Sequence, residues 1–97
     1  MKTVEIFITG RVQKVGFRAC VRKIATDLSV TGSVFNLPDS RVRVYATAEP
    51  IILEKFISSL YSCPRAVIRD VKVSEIPPMV FEEFSIIKNN VRFSTGL

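Results

Sequence analysis

Along this chain the apolar residues switch repeatedly between the period of a strand and that of a helix, and the order of those switches limits the possible folds more than any other feature. Val4, Ile6 and Ile8 alternate with Glu5, Phe7 and Thr9, the two-residue period of a half-buried strand. After a polar bend from Gly10 to Gly16, the residues Phe17, Cys20, Val21, Ile24, Ala25 and Leu28 recur at helical spacing, with Arg18, Arg22, Lys23 and Asp27 opposite them. A helix is therefore predicted from Phe17 to Leu28, with Gly32 shortly beyond its end. Ser33 to Leu37 reads as a strand, Pro38-Asp39-Ser40 as a tight turn, and Arg41 to Thr47 as the returning strand of a hairpin. Pro50 suits the first position of a second helix. The apolar stripe of that helix is Leu53, Phe56, Ile57, Leu60 and Tyr61, and Cys63-Pro64 stops it. Ala66 to Ile76 makes another strand, Pro77-Pro78 ends it, and Phe84 to Ile87 is a short last strand.

The resulting order, β-α-β-β-α-β with a short extra strand, predicts an α+β fold of the split βαβ, ferredoxin-like kind: an antiparallel sheet with two helices on one face. Ninety-seven residues make one domain, expected to span residues 1–88, with 89–97 as a tail. A hydrophobic content of 47% supplies the core without a disulfide or metal staple. Cys20 and Cys63 lack CxxC spacing and are expected to be reduced thiols in a cytoplasmic protein. The segment MKTVEIFITGRV holds no uninterrupted apolar run, so neither secretion nor membrane spanning is expected. Topology by itself chooses no function, because enzymes and RNA-binding modules share it.

Histidine is absent. That removes Ser-His and Cys-His nucleophilic machinery, histidine general bases and most zinc or iron sites. Two isolated cysteines cannot complete a structural zinc site either. Chemistry on this chain must use arginine, lysine, amides, backbone N–H groups or carboxylates. With 14 basic residues against 9 acidic ones the net charge is +5. Such a balance attracts nucleic acid, acidic membrane surfaces or a small phosphorylated substrate, and is equally consistent with a merely solvated basic surface.

The bend Gly10-Arg11-Val12-Gln13-Lys14-Val15-Gly16-Phe17-Arg18 leads into the first helix. N–H groups at a helix start have no intrahelical partner, and the helix dipole adds partial positive charge there. A turn just before it can aim several N–H groups at one anion, and Arg18 would add a fork of donors matched to phosphate oxygens. On the residues alone, Gly10 and Gly16 as ordinary turn glycines and Arg18 as a solvated helix residue remain open. The loop is neither a Walker A motif nor a GxGxxG fingerprint.

The run GRVQKVGFR, with GSVFNLPDSRVRV about fourteen residues after it and the closing segment Phe81-Glu82-Glu83-Phe84-Ser85-Ile86, resembles the acylphosphatase family over the chain through Lys88. The resemblance implies hydrolysis of the carboxyl–phosphate anhydride bond of small acyl phosphates, with inorganic phosphate as product or inhibitor. It places the family's phosphate-binding arginine at Arg18 and its water-orienting asparagine at Asn36. The phosphate cradle it implies is formed by backbone N–H groups of Gln13, Lys14, Val15, Gly16, Phe17 and Arg18. No metal or cofactor is implied, and a monomer without nucleic-acid or membrane partners is expected. Three positions depart from the family pattern: Lys14 and Ser40 stand where glycine is common, and Phe35 where a basic or polar residue is common, so that it could cover an edge of the pocket.

Two other readings compete. An RNA or single-stranded nucleic-acid module would read bases on an open sheet face. Arg41, Arg43 and Tyr45 alternate there, with Phe7 on the same face, but the RNP1 pattern is absent, and these residues also read as the solvated side of a sheet. A noncatalytic interaction domain is the other alternative. Glu82-Glu83 reads as a solvated turn, not as a catalytic carboxylate pair.

Overall fold

Alternation in β1 (Lys2–Arg11) turns Val4, Ile6 and Ile8 into the core, where the two isoleucines are fully buried. The structure is a computed structural model and describes residues 1–88; the expected tail, 89–97, lies outside the described residues. After β1 come α1 (Phe17–Asp27), β2 (Thr31–Asn36), β3 (Val42–Ala48), α2 (Pro50–Leu60), β4 (Val67–Ile76) and β5 (Phe84–Ile86). The sheet order is β4-β1-β3-β2-β5. This is the ferredoxin-like α+β arrangement expected from the order of periods.

Two helices cover one face. Phe17, Val21 and Ala25 of α1 and Leu53, Phe56 and Leu60 of α2 meet the inward row Val34, Val42, Val44 and Ala46. Burying such side chains is worth about 1.5–3 kcal/mol each for the larger ones, so this single layer dominates the fold's stability.

Four expectations need correction. The sheet is not wholly antiparallel, because β5 pairs parallel with β2. β2 begins at Thr31, two residues early, because the Val30 N–H donates to the Ala25 carbonyl at 2.8 Å and closes the helix directly into the strand. Tyr61 leaves the core stripe and is 59% exposed, since α2 ends at Leu60. Cys20 and Cys63 are joined in a disulfide, with Cα atoms 6.0 Å apart.

One irregularity aims the chain at the loop. The register between β1 and β4 shifts between Thr9 and Gly10, where Gly10 has φ 141°. A Cβ at Gly10 would collide with the Val67 carbonyl oxygen. The bulge bends the end of β1 and delivers residues 11–16 to the start of α1. Among the described residues no helix is long and apolar enough to cross a membrane.

Candidate active site

Val12 and Phe17, each 1% exposed, anchor the two ends of the loop in the core. Between them Lys14 has φ 63° and Gly16 φ 75°, both left-handed. Nothing lies within 4 Å of a Cβ built at Gly16, so backbone conformation and not space explains glycine there. Lys14 adopts the same region with a side chain, at a cost of about 1 kcal/mol relative to glycine. Gly16 caps α1 without a side-chain hydrogen bond, and the first turn carries no acidic residue. The Cys20 N–H donates to the Gly16 carbonyl at 3.1 Å, so the N–H groups of Phe17, Arg18 and Ala19 precede the first intrahelical bond. Unmatched donors and the helix dipole together favour an anion there.

A cavity of about 220 Å³ opens at this point, lined by Val12, Lys14, Gly16, Phe17, Arg18, Ala19, Ile86 and Lys88. Its charged side chains, Lys14, Arg18 and Lys88, are all cations. A larger groove of about 570 Å³ runs between the far end of α1 and β5, but there Arg22 is offset by Glu83. The smaller cavity is the one whose electrostatics suit a phosphate.

Of the residues singled out from sequence, Lys14, Gly16, Phe17 and Arg18 come together around the cavity. Val15 packs against the core, and Gln13 and Asn36 lie outside the lining. Asn36 ends β2, paired with Val42, and shares the helix side of the sheet with Val34. Its Oδ1 is buried. Phe35 points to the opposite face, against Arg43 and Tyr45, and so does not cover the pocket.

Gln13 does something that reading its backbone alone missed. Its Nε2 donates to the carbonyls of Leu37 and Arg41, both at 2.9 Å. Leu37 adjoins Asn36, and Arg41 adjoins its ladder partner Val42, so this amide pins the loop to the strand end that carries Asn36. The acceptor end is itself held. Leu37 N–H donates to the Arg41 carbonyl at 2.8 Å, and Arg41 Nε reaches Asp39 Oδ2 at 2.9 Å. That guanidinium bond holds the Asp39 carboxyl below its usual range. Gln13→Ala should lower stability by about 2 kcal/mol, one for each bond, and kcat about tenfold, by loosening the relative position of loop and strand. Urea unfolding and steady-state kinetics check the two parts; an unchanged kcat would reduce the clamp to a purely structural role.

On the helix-free face Arg43 is enclosed. Its guanidinium lies 4.8 Å from the Phe35 ring centroid, 5.0 Å from Tyr45 and 5.8 Å from Phe7, and Glu5 pairs with it at 3.5 Å. Arg41 sits 4.7 Å over Phe7. The face expected to be simply solvated is thus a half-buried cation–π cluster whose central cation is already matched by Glu5. Glu82 and Glu83 are exposed, as expected for a solvated turn.

A split βαβ domain whose first loop turns into an uncapped helix start, with an arginine beside it, belongs to the class of small α+β domains with a loop whose electrostatics suit an anion. Comparison with known proteins narrows this. The acylphosphatase family model matches residues 4–86. An acylphosphatase of Archaeoglobus fulgidus is 41% identical over 89% of this chain and 98% of its own length, and one of Methanocella arvoryzae is 38% identical over 89% and 99%. The crystal structure of acylphosphatase from Bacillus subtilis superposes with a TM-score of 0.86, at 31% identity, covering 90% of this chain and 99% of that one. The chain belongs to the acylphosphatase family.

Proposed function

We propose that residues 1–88 form an acylphosphatase that hydrolyses acyl phosphates to carboxylate and inorganic phosphate with Arg18 and Asn36 as its catalytic residues. The observation that carries the reading is the union, around one cavity, of Arg18 with an uncapped helix start reached through two left-handed loop residues. The phosphoryl oxygens dock on backbone N–H groups of the 13–18 loop, and the Arg18 guanidinium spans two of them. Phosphoryl transfer needs mainly positioning and compensation of charge on the equatorial oxygens. An acyl phosphate already has a good leaving group, a carboxylate, so a strong general acid is dispensable.

Water oriented by the Asn36 amide attacks phosphorus in line with the leaving oxygen. The P–O bond to the acyl carboxylate breaks with its electron pair going to the carboxylate. One water proton passes to a phosphate oxygen, and the other stays on the new hydroxyl, giving dihydrogen phosphate. Gln13 supports this division by tying the loop to the strand end of Asn36.

The reading includes a monomer with no nucleic-acid or membrane partner. We place it in the cytoplasm; the Cys20–Cys63 bond then calls for a cell that tolerates internal disulfides, as hyperthermophile cells do.

Release of phosphate from benzoyl phosphate, with chelator present, tests the activity. Chelator-sensitive release contradicts the mechanism. In the same assay Asn36→Ala should lower kcat by about 10², the scale of a lost positioning contact, while competitive inhibition by inorganic phosphate stays within about twofold. Wild-type turnover in that variant would remove Asn36 from the mechanism.

A further inference from the structure

The phosphate cavity holds more positive charge than a phosphate alone calls for. Loop N–H groups and Arg18 can match the phosphoryl oxygens, yet Lys14 and Lys88 also line the same space, and both are exposed at its rim. None of its lining residues is a carboxylate. Among the described residues the two carboxylates paired with a lysine lie elsewhere: Glu75 with Lys2 and Asp27 with Lys23. Lys14 also keeps a side chain at φ 63°, a conformation glycine would adopt without penalty. Val12 and Ile86 add apolar surface to the same cavity, and its volume of about 220 Å³ leaves room for more than the phosphoryl group.

Resting on the acylphosphatase reading, we propose that Lys14 and Lys88 are specificity-determining residues that select acyl phosphates whose acyl group bears a carboxylate. The phosphate sits at the helix start, the carbon skeleton passes along Val12 and Ile86, and the distal carboxylate lies at the rim between the two ammonium groups. Both lysines are solvated there, so each contributes a screened Coulomb attraction and not a buried ion pair. Two unit charges about 7 Å apart in a water-like medium give roughly a threefold effect each, weakened further by salt.

A matched pair of rigid substrates tests this: 4-carboxybenzoyl phosphate and its uncharged counterpart 4-carbamoylbenzoyl phosphate, in which neither group can reach the anhydride to react with it. The full chain should show a kcat/KM ratio of about three- to tenfold in favour of the carboxylate at low ionic strength, falling towards one in about 0.5 M salt. The Lys14→Gly/Lys88→Ala double variant should bring the low-salt ratio close to one, and Lys88→Arg with Lys14 intact should retain it. Lys14→Gly suits the left-handed backbone at that position, so folding is preserved. If wild type releases phosphate from both substrates at equal kcat/KM, or the double variant keeps the preference, the selectivity proposal falls while the acylphosphatase reading stands. If neither substrate nor benzoyl phosphate is hydrolysed, it is the acylphosphatase reading that fails, and this proposal with it.

Discussion

Arg18→Ala is expected to lower kcat on benzoyl phosphate by at least 10²–10³, the usual value of one preorganised donor aimed at developing charge, and to weaken inhibition by inorganic phosphate as well. Both effects follow from where the side chain stands. Arg18 is the second residue of α1 and lines the cavity beside the helix start, so its guanidinium works alongside the N–H groups of the first turn. Those N–H groups survive the substitution, which is why residual binding should persist. Arg18→Lys separates charge from shape. It restores the positive charge and therefore part of the phosphate affinity, but not the planar fork that engages two oxygens together, so kcat should stay well below wild type. The residue is half-buried at an exposed helix start and alanine is the best helix former, so the thermal midpoint should move little. An Arg18→Ala enzyme within threefold of wild-type kcat, folded and phosphate-sensitive, would show that the backbone cradle suffices and that Arg18 has been given the wrong role.

Much of this architecture was legible because period and burial coincide. Ile6 and Ile8 alternate in sequence and are fully buried in the sheet; Phe17, Val21 and Ala25 recur every fourth residue and face the core. What stayed hidden depends on partners distant in sequence. Nothing in Phe84-Ser85-Ile86 tells it to run parallel to β2, since direction is decided by which sheet edge the segment after Pro78 reaches. That crossing is fixed by bonds between residues far apart: Met79 N–H donates to Thr3 Oγ1 at 3.0 Å, and Thr47 Oγ1 donates to the Met79 carbonyl at 3.2 Å. The candidate site divides the same way. The loop and Arg18 are contiguous and could be read as a unit, and the left-handed turn was foreseeable from glycine at 16. The side-chain role of Gln13 was not, because its acceptors Leu37 and Arg41 belong to a hairpin whose position beside the loop exists only in the fold. Phe35 departs from the family pattern beside Asn36, yet its side chain lies against Arg43 and Tyr45 and not at the pocket. Strand alternation puts it on the other face from Asn36.

The same dependence on packing hid the disulfide, and its removal should have a large effect on stability. On α1 the residues Phe17, Val21 and Ala25 face the sheet, while Cys20 and Ile24 form the flanking, partly buried row. Cys63, 4% exposed, follows the last turn of α2. The bond therefore ties the helix that carries Arg18 to the end of the other helix, across a sequence separation of 43. Closing a loop of that length in the unfolded chain removes entropy worth about 4 kcal/mol in the chain-entropy account. Reduced wild type should be less stable than oxidised wild type by roughly that amount. For a domain of this size the thermal midpoint then falls by about 15 °C or more. A Cys20→Ala/Cys63→Ala variant should match the reduced protein apart from a further small loss of packing at the buried Cys63, and should no longer respond to reductant. Thermal unfolding followed by circular dichroism, with and without dithiothreitol, measures the difference, and alkylation of unfolded samples followed by mass spectrometry confirms which state each curve reports. Below its lowered midpoint the reduced enzyme should still hydrolyse benzoyl phosphate, because Val12 and Phe17 anchor the loop in the core independently of the bond. If oxidised and reduced forms melt within a few degrees of each other, the two helices are held by their apolar contacts alone and the crosslink contributes nothing the core does not already supply.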